Sequence, residues 1–271
     1  MEPLKGIGKK SREYLVQVLQ GTSGVITSKK VRSILNITSS QAGKYLHRWT
    51  VAGWVQRLQR GIYTPIPIDS STPDITIEKP WIVAHTLFEP CYIGGWSAAE
   101  YWDFTEQVYS SVFVMTIKHH NYQKTKIGGI EFYIKQIKPE YIFGTKTFWQ
   151  DKNKIQISDP TRTIIDMLNN PDIGGGIRPT IDIFQQYTNS EHCNLKLAIE
   201  YAEKLENKTI FKRLGFILET YYPSKKTFIK ECQKRISKGY SKFDPALNNN
   251  RIITRWKLRI PSNWIDNIDD R

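Results

Sequence analysis

The chain has 271 residues and a formal net charge of +13, the balance of 39 Lys and Arg against 26 Asp and Glu. Hydrophobic residues make up 39% of it, which is enough to build a core, so wholesale disorder is excluded. No apolar run approaches the length of a membrane span, and the first residues lack the apolar region of a secretory signal. Because the 3 cysteines are far apart, a disulfide framework is not expected, and we predict a cytoplasmic protein without a membrane partner.

Most of the positive charge lies at one end of the chain. Residues 1–68 hold eleven Lys and Arg against Glu2 and Glu13, a net charge of +9, so the remaining 203 residues carry only +4. A basic segment joined to a nearly balanced body favours a polyanionic partner, most simply nucleic acid. A basic protein that its charge merely keeps soluble is the alternative.

Apolar spacing in the first quarter of the chain predicts three helices. The first spans residues 11–20. The second begins after the N-cap Thr27 and ends at Asn36, a residue that tolerates the left-handed conformation of a helix end. The third begins with Thr38 and Gln41, which match a capping box. Two short helices joined by a tight turn are typical of a helix-turn-helix, whose second helix enters the major groove of DNA.

The exposed face of the third predicted helix is polar, cationic and free of carboxylates. Its members are Ser39, Ser40, Gln41, Lys44, His47 and Arg48. Side chains of these types reach base edges and phosphates in DNA. We therefore predict that this face reads double-stranded DNA, with a three-helix module that packs on another protein as the alternative.

A basic hairpin follows this helix directly. Its strands are predicted at Trp54–Leu58 and Ile62–Thr64, with a glycine in the turn. A hairpin in this place is the wing of a winged helix, which makes residues 1–66 a winged helix-turn-helix domain. Arg57 and Arg60 are then placed to contact the sugar-phosphate backbone, which sets register rather than sequence.

A proline-rich polar run predicts a linker over residues 67–80. The remainder, 81–271, begins with alternating helix and strand signals, including a strand at 141–149. These signals indicate a mixed α/β C-terminal part with helices on one side of a sheet, so the predicted fold class is α+β. This part is either one domain, or an α/β domain over 81–190 and a helical domain over 191–271.

The helical portion is predicted to end in a basic helix and a terminal strand. Ser224 is predicted to cap the helix, which ends at Gly239. Residues 251–260 alternate apolar side chains with Arg and Lys, which predicts a strand with one buried and one cationic face. Such a face is usually only solvated, and contact with RNA, DNA or an acidic partner is the alternative. Three aspartates follow residue 265, and the pattern assigns them no role.

No constellation of residues in the sequence predicts catalysis. No His and Cys spacing matches a zinc site, and no phosphate-binding loop with its Lys and Ser or Thr occurs, so we expect no metal and no cofactor. Gly174-Gly175-Gly176 is interpreted as a loop between helices, with an anion cradle as the alternative. Glu131 and Lys135 lack the spacing of a metal-dependent nuclease. Arg162 and Asp166, four apart on a predicted helix, are interpreted as a salt bridge rather than an active site.

Four motifs together resemble those of a known family. They are Arg60-Gly61-Ile62-Tyr63 in the wing; Tyr92-Ile93-Gly94-Gly95-Trp96-Ser97-Ala98-Ala99-Glu100-Tyr101-Trp102 with Thr105-Glu106-Gln107; Ser158-Asp159-Pro160-Thr161-Arg162-Thr163-Ile164-Ile165-Asp166-Met167 with Gly174-Gly175; and Lys212-Arg213-Leu214-Gly215-Phe216-Ile217-Leu218-Glu219 followed by Asp244-Pro245. On these motifs, which span almost the whole chain in the expected order, the protein resembles the AbiEi antitoxins. These belong to AbiE-type abortive-infection systems, which are type IV toxin–antitoxin systems of phage defence.

The resemblance implies a protein with two tasks and no catalysis of its own. The winged helix of such an antitoxin binds repeats in the promoter of its own operon and represses it. The C-terminal domain is needed to neutralise a cognate toxin that resembles a nucleotidyltransferase, without a stable complex between the two proteins. In this chain the motif residues fit structural roles: Asp159-Pro160 would cap a helix, and Arg213 would pair with a carboxylate in the core.

Two other functions fit parts of the sequence. One is an enzyme, either a nuclease or a nucleotide-modifying protein, that the winged helix directs to DNA. The missing carboxylate and lysine spacing counts against it. The other is a transcriptional regulator whose C-terminal domain senses a small molecule, with no toxin involved. A toxin gene beside this one would distinguish the regulator from the antitoxin.

Overall fold

The computed structural model describes residues 6–22, 24–66, 79–121, 123–151, 153–262 and 264. Most of the predicted linker and the three terminal aspartates lie outside these described residues. Within the described ranges the chain is a mixture of helices and several sheets, which confirms the predicted combination of α and β structure. No helix in these ranges is long and apolar enough to cross a membrane.

Helices and strands are numbered in chain order over the described residues. The helices are α1 (Lys9–Gln20), α2 (Ser28–Leu35), α3 (Ser39–Val51), α4 (Pro80–Phe88), α5 (Gly95–Tyr101), α6 (Pro160–Asn169), α7 (Ile177–Asn189), α8 (Leu195–Lys204), α9 (Lys208–Tyr221) and α10 (Lys226–Arg235). The strands are β1 (Ile26–Thr27), β2 (Val55–Gln59), β3 (Ile62–Pro65), β4 (Cys91–Ile93), β5 (Ser111–Thr116), β6 (Lys124–Ile127), β7 (Ile130–Gln136), β8 (Thr145–Gln150), β9 (Asn153–Ser158), β10 (Ser241–Lys242), β11 (Arg251–Ile253) and β12 (Leu258–Ile260). Short 3-10 helices occur at Pro139–Tyr141, Pro171–Gly174 and Thr254–Trp256.

The chain divides into two compact units. The first takes its residues from 1–91, 110–136 and 147–155, and the second from 92–109, 137–146 and 156–271. The division into a domain at 1–66, a linker at 67–80 and a second part at 81–271 stays a prediction.

Local capping signals set the ends of α2 and α3 in the first unit. Thr27 precedes α2, and its side chain accepts a hydrogen bond from the backbone N–H of Lys30 at 3.1 Å. Asn36 ends α2 in the left-handed conformation at φ 50°, which Asn tolerates better than most residues. In the capping box, the N–H of Gln41 donates to Thr38 Oγ1 at 3.3 Å, and the N–H of Thr38 donates to Gln41 Oε1 at 3.0 Å. The predicted starts of α2 and α3 and the predicted end of α2 are therefore confirmed.

The three N-terminal helices and a small sheet share one core. The sheet is antiparallel with strand order β1-β3-β2. The buried side chains of the core are Leu15, Val18, Ile26, Val31, Ala42, Leu46, Trp49 and Val55, and each large apolar one contributes about 1.5–3 kcal/mol through burial. The indole N–H of Trp49 donates to Ser11 Oγ at 3.0 Å, which ties α3 to α1. Strand β1 was not predicted, because two residues give no periodic signal.

Strands β5, β6 and β7 form another part of the first unit. β5 pairs in parallel with β7, from Ser111 opposite Glu131 to Thr116 opposite Gln136, and β7 pairs antiparallel with β6. Helix α4 packs against β5, and the hydroxyl of Thr116 donates to the backbone oxygen of Phe88 at 2.6 Å. This bond joins the end of α4 to the end of β5.

Helix α6 lies at the centre of the second unit. It contacts α5, α7, α8 and α9, and every residue from Pro160 to Leu168 is buried. As predicted, Asp159 caps this helix: its Oδ1 accepts a hydrogen bond from the N–H of Arg162 at 2.7 Å. Strands β4 and β9 pair in parallel at Ile93 and Ile157.

The predicted glycine loop precedes α7. Gly175 and Gly176 have φ of 83° and 106°, a region that favours glycine, so the interpretation as a loop between helices fits. Gly176 has no side chain with which to cap α7. Asp244 takes this role from elsewhere in the chain, since its Oδ2 accepts from the N–H of Ile177 at 2.9 Å. The Asp-Pro and Gly-Gly motifs of the resemblance thus meet at one helix end.

Arg162 and Asp166 form the predicted salt bridge. Arg162 Nε lies 2.9 Å from Asp166 Oδ1, and the two side chains are 1% and 3% exposed. The hydroxyl of Tyr92 donates to Asp166 Oδ2 at 2.8 Å and accepts from Arg162 at 3.0 Å. Burial, together with the charge of Asp166, raises the pKa of Tyr92 well above its usual value. Because these polar groups satisfy one another, they fit a structural role better than an active site.

The prediction that Arg213 forms an ion pair with a carboxylate in the core is wrong. Its guanidinium donates to four backbone carbonyl oxygens, those of Leu168, Asn169, Lys242 and Phe243. Burial lowers the pKa of Arg213 to about 10, against an opposing effect of Asp244. A guanidinium has five donors in a rigid fork, so it can join the end of α6 to β10 without a carboxylate partner.

Three predicted elements also differ from the structure in their bounds. The basic helix α10 follows Lys225, with no side-chain cap from Ser224, and it ends at Arg235 rather than at Gly239. The predicted strand at 141–149 begins only at Thr145, after a 3-10 turn. The predicted terminal strand at 251–260 is broken into β11, a 3-10 turn and β12, which pair antiparallel. Trp256 lies in the 3-10 turn between the two strands and is completely buried.

Candidate nucleic-acid interface

Helix α3 presents every predicted DNA-reading side chain to solvent. Ser39, Ser40, Gln41, Lys44, His47 and Arg48 are all exposed. On the opposite side of the helix, Ala42, Leu46 and Trp49 are fully buried in the N-terminal core. Because 3.6 residues make one turn, this buried stripe fixes which side of α3 faces outward.

Two residues in the first turn of α3 already make hydrogen bonds. Gln41 Oε1 accepts from the N–H of Thr38 at 3.0 Å and from its hydroxyl at 3.1 Å. Ser39 Oγ accepts from the guanidinium of Arg32 at 3.2 Å. The amide N–H groups of Gln41 and the hydroxyl proton of Ser39 can still donate to DNA. Bidentate recognition of adenine by Gln41 needs its oxygen as well, and that oxygen is occupied while the cap is formed.

Lys44, His47 and Arg48 line a concavity of about 670 Å³. Gly6, Ile7, Gly8, Val51 and Ala52 form the rest of its lining. Arg48 lies along the helix surface, with its Cζ 5.7 Å from the ring centroid of Tyr45, and such a cation–π contact restrains the guanidinium. A concave surface with three basic side chains suits double-stranded DNA, where such side chains meet both phosphates and the acceptors of base edges.

The hairpin β2–β3 carries the two arginines predicted to contact the DNA backbone. Arg57 and Arg60 are both exposed. Arg57 Nε donates to the backbone oxygen of Gln59 at 3.4 Å, and the pairing register shifts between these two residues, which increases the local twist. The carbonyl of Gly61 accepts from the N–H of Ser28 at 3.1 Å. This bond fixes the hairpin turn to the start of α2.

The charge of this surface has few internal partners. Residues 6–66 contain ten Lys and Arg and a single carboxylate side chain, that of Glu13. At most a few of these cations can be neutralised within the segment, so most of their charge remains available to phosphates.

Two parts of the surface were not predicted from the sequence. Arg32 lies in the last turn of α2 and reaches Ser39 across the turn between the helices. Residues 6–8 enter the concavity although glycines there give no side-chain signal. Both depend on how the helices pack, which helix periodicity alone does not report.

The described residues also bear on the enzyme alternative. All three cysteines are free, and burial raises the pKa of Cys91 and of Cys232 to about 12. Their thiolates, which are the nucleophilic form, are therefore scarce at neutral pH. Among the described side chains, no group of three or more His, Cys, Asp or Glu is placed to hold a metal ion.

Comparisons with known proteins address the fold and the N-terminal segment separately. The fold is similar to the crystal structure of the RV2827C protein from Mycobacterium tuberculosis, with a TM-score of 0.60 and 10% sequence identity over 94% of this chain and 92% of that chain. At this identity the likeness concerns the fold alone. No curated protein matches the sequence. Residues 13–66 match the family described as "Transcriptional regulator, AbiEi antitoxin". The predicted resemblance to the AbiEi antitoxins is thus confirmed over this segment, which contains α2, α3 and the hairpin.

Proposed function

We propose that residues 1–66 act as a winged helix that binds double-stranded promoter DNA. We propose further that the chain is the self-repressing antitoxin of a type IV toxin–antitoxin system, whose toxin resembles a nucleotidyltransferase. The observation that carries the proposal is the exposed, cationic, carboxylate-free face of α3 within the segment that matches AbiEi regulators. The chain has no catalytic role in this proposal and needs no cofactor.

The proposal gives α3 the task of reading bases. In a helix-turn-helix complex, the N-terminal residues of the second helix contact base edges. Ser40 and Lys44 are four residues apart on the exposed face, and Lys44 is suited to the acceptors of guanine. Gln41 acts as a donor only, because its oxygen accepts two hydrogen bonds from Thr38, while Ser39 keeps its hydroxyl proton for donation. Arg48 extends the contact further along the groove.

The hairpin supplies contacts of a different kind. Arg57 and Arg60 bind phosphates on either side of the groove that α3 enters, which positions the helix without reading sequence. Arg32 is added to this group, since its guanidinium lies beside Ser39 at the start of α3. Phosphate contacts of this type give most of the affinity and make it dependent on salt.

Fluorescence anisotropy with the promoter duplex and a shuffled duplex separates the two kinds of contact. If Arg57 and Arg60 each bind one phosphate, Arg57→Ala/Arg60→Ala reduces the slope of log affinity against log salt by about 1.8. When salt is raised from about 50 to about 200 mM, both proteins lose affinity. The fold-loss of the wild-type protein is then about 12 times the fold-loss of the variant. The preference for the promoter over the shuffled duplex stays unchanged.

Lys44→Ala/Arg48→Ala should instead lower the preference for the promoter over the shuffled duplex. The expected loss is about 5-fold or more for each interaction with a base that the variant removes. The matched control is Lys226→Ala/Lys230→Ala on α10 of the second unit, which also removes two exposed cations and should leave the preference unchanged. Wild-type promoter affinity in the α3 variant would show that α3 is not the recognition face.

The antitoxin part of the proposal is tested in cells. Full-length variants are expressed together with the neighbouring open reading frame, and both growth and a promoter fusion are measured. We expect Lys44→Ala/Arg48→Ala to lose repression but still rescue growth, because neutralisation is assigned to residues outside the winged helix. If the neighbouring gene is harmless, or if the wild-type chain fails to rescue growth, the toxin link is wrong and the DNA-binding proposal stands alone.

A further inference from the structure

The C-terminal sheet of the second unit has a basic face that promoter binding does not use. Its strand order is β10-β12-β11, with β10 parallel and β11 antiparallel to β12. Lys242, Arg259 and Ile252 stand opposite one another in a single row across the three strands, and all three are exposed. Leu258 and Ile260 flank Arg259 in β12 and are fully buried. Because side chains alternate along a strand, the row lies on the outer face of the sheet.

A tyrosine and a lysine extend this face at one end. The Nζ of Lys257 lies 5.4 Å from the ring centroid of Tyr240, and Tyr240 is 43% exposed. The backbone oxygen of Lys257 accepts from the N–H of Ser241 at 3.0 Å. This hydrogen bond places Tyr240 and Lys257 beside the paired ends of β10 and β12. We call Tyr240, Lys242, Ile252, Lys257 and Arg259 the basic-aromatic face.

The carboxylate of Glu219 is engaged by residues of the turn between β11 and β12 rather than by the basic-aromatic face. Glu219 pairs with Arg255, whose Nε lies 3.0 Å from Glu219 Oε1, and it also accepts from the indole of Trp256. None of the ion pairs within the described residues involves Lys242 or Arg259. Arg255, which was predicted to lie on the cationic face of the terminal strand, is therefore not part of the observed row. Lys242 of β10 lies in the row instead, opposite Arg259.

We propose that the basic-aromatic face binds single-stranded nucleic acid. Neighbouring strands are about 4.8 Å apart, so Lys242 and Arg259 offer two cations to one stretch of phosphodiester backbone. An exposed aromatic ring beside such cations stacks on an unpaired base, a surface that a base-paired duplex does not present. The proposal stands independently of promoter binding by α3.

The test measures binding of the full-length protein to three labelled probes by fluorescence anisotropy. These are a single-stranded RNA and a single-stranded DNA of about 12 nucleotides, and the promoter duplex. Lys242→Glu/Arg259→Glu should weaken binding of the single strands about 10-fold or more and leave duplex affinity unchanged. The matched control Lys226→Glu/Lys230→Glu reverses two exposed charges on α10 and should weaken single-strand binding less than about 3-fold.

Tyr240 supplies a second test, which does not alter charge. Tyr240→Ala should weaken single-strand binding about 5-fold or more, while Tyr240→Phe keeps the ring and should retain it. Equal losses with RNA and DNA support recognition through phosphates and bases; a loss confined to RNA supports the proposal and adds a contact to the 2′-hydroxyl.

Three results would overturn the proposal. The first is an equal loss in the two charge-reversal variants, which would mean that only overall charge matters. The second is an unchanged affinity in Tyr240→Ala. The third is a loss on the promoter duplex as large as that on the single strands, which would assign the face to duplex DNA. Circular dichroism of each variant checks the fold, and if the charge-reversal variant misfolds, Tyr240→Ala and Tyr240→Phe decide.

Discussion

Replacing Asp166 tests how the centre of the second unit is held together. This carboxylate is 3% exposed and accepts from Arg162 at 2.9 Å and from Tyr92 at 2.8 Å. In Asp166→Ala, the buried guanidinium of Arg162 loses its opposing charge. Removing one partner of a buried ion pair costs about 3–5 kcal/mol, and leaving the Tyr92 hydroxyl without its acceptor adds about 1 kcal/mol. We expect the free energy of unfolding to fall by about 4–6 kcal/mol.

Asp166→Asn separates the charge from the shape of this side chain. The amide keeps an oxygen for Arg162, but its NH2 group cannot accept the hydroxyl proton that Tyr92 donates, so a remaining loss reports the missing charge together with that hydrogen bond. Urea-induced unfolding followed by circular dichroism measures both variants. The control is Glu140→Gln, because both side chains of the ion pair between Glu140 and Lys138 are more than half exposed and exposed pairs contribute little to stability. A loss below about 1 kcal/mol in both Asp166 variants would refute the argument.

Two further predictions concern packing and pH. A methyl group at Gly215 in α9 would overlap the ring of Trp256, so Gly215→Ala should lower the free energy of unfolding by about 1–3 kcal/mol or more. Gly43→Ala in α3, with nothing within 4 Å, should leave it unchanged or raise it by up to about 1 kcal/mol; thermal unfolding checks both. Burial raises the pKa of Tyr187 from 10.0 to about 12. The unfolded chain therefore releases this proton first, and stability falls by up to about 3 kcal/mol as pH rises between these values. Tyr187→Phe should reduce the fall rather than abolish it, because burial also raises the pKa values of Cys91 and Cys232 to about 12. Urea unfolding at each pH measures the difference, and an unchanged pH dependence would contradict the assignment.

Sequence prediction succeeded where a residue and its partner are close along the chain. Thr38 and Gln41 are three residues apart and form the capping box at the start of α3. Asn36 ends α2 through its own backbone conformation. Asp159 caps α6 through a bond to Arg162, again three residues away. Each of these signals is complete within one turn of helix, so no knowledge of the tertiary fold was needed.

Prediction failed where the partner comes from a distant part of the chain. Trp256 leaves the expected strand pattern because its indole bonds to Glu219, which is 37 residues away. The carbonyl groups that accept from Arg213 include those of Leu168 and Phe243, which are 45 and 30 residues away along the chain. A charged residue in an apolar motif suggested a carboxylate partner, but charge alone does not say which acceptors the fold brings near. Periodicity and charge thus predicted which residues lie in helices and strands, but not which distant residues they contact, because those contacts depend on tertiary packing.

The candidate DNA interface shows the same limit in a single residue. Gln41 matched two patterns in the sequence, a capping box and a base-reading helix face. The structure places its oxygen on Thr38, so the cap restricts the contacts that Gln41 can make with DNA. The capping-box spacing contained this information, because the box uses the same oxygen that adenine recognition requires. Lys44 and Arg48 have no such competing role and carry more of the proposed specificity.

Salt concentration distinguishes the two cationic surfaces that we propose. Duplex binding by α3 and the hairpin depends mainly on phosphates, so each contact contributes about 0.9 to the salt slope. On the basic-aromatic face, each phosphate of a single strand contributes about 0.7, and stacking on Tyr240 adds affinity that is not electrostatic. As salt increases, duplex binding should therefore weaken faster than single-strand binding for an equal number of phosphate contacts. Stacking on Tyr240 therefore leaves the basic-aromatic face with a part of its affinity that remains when the charges are screened.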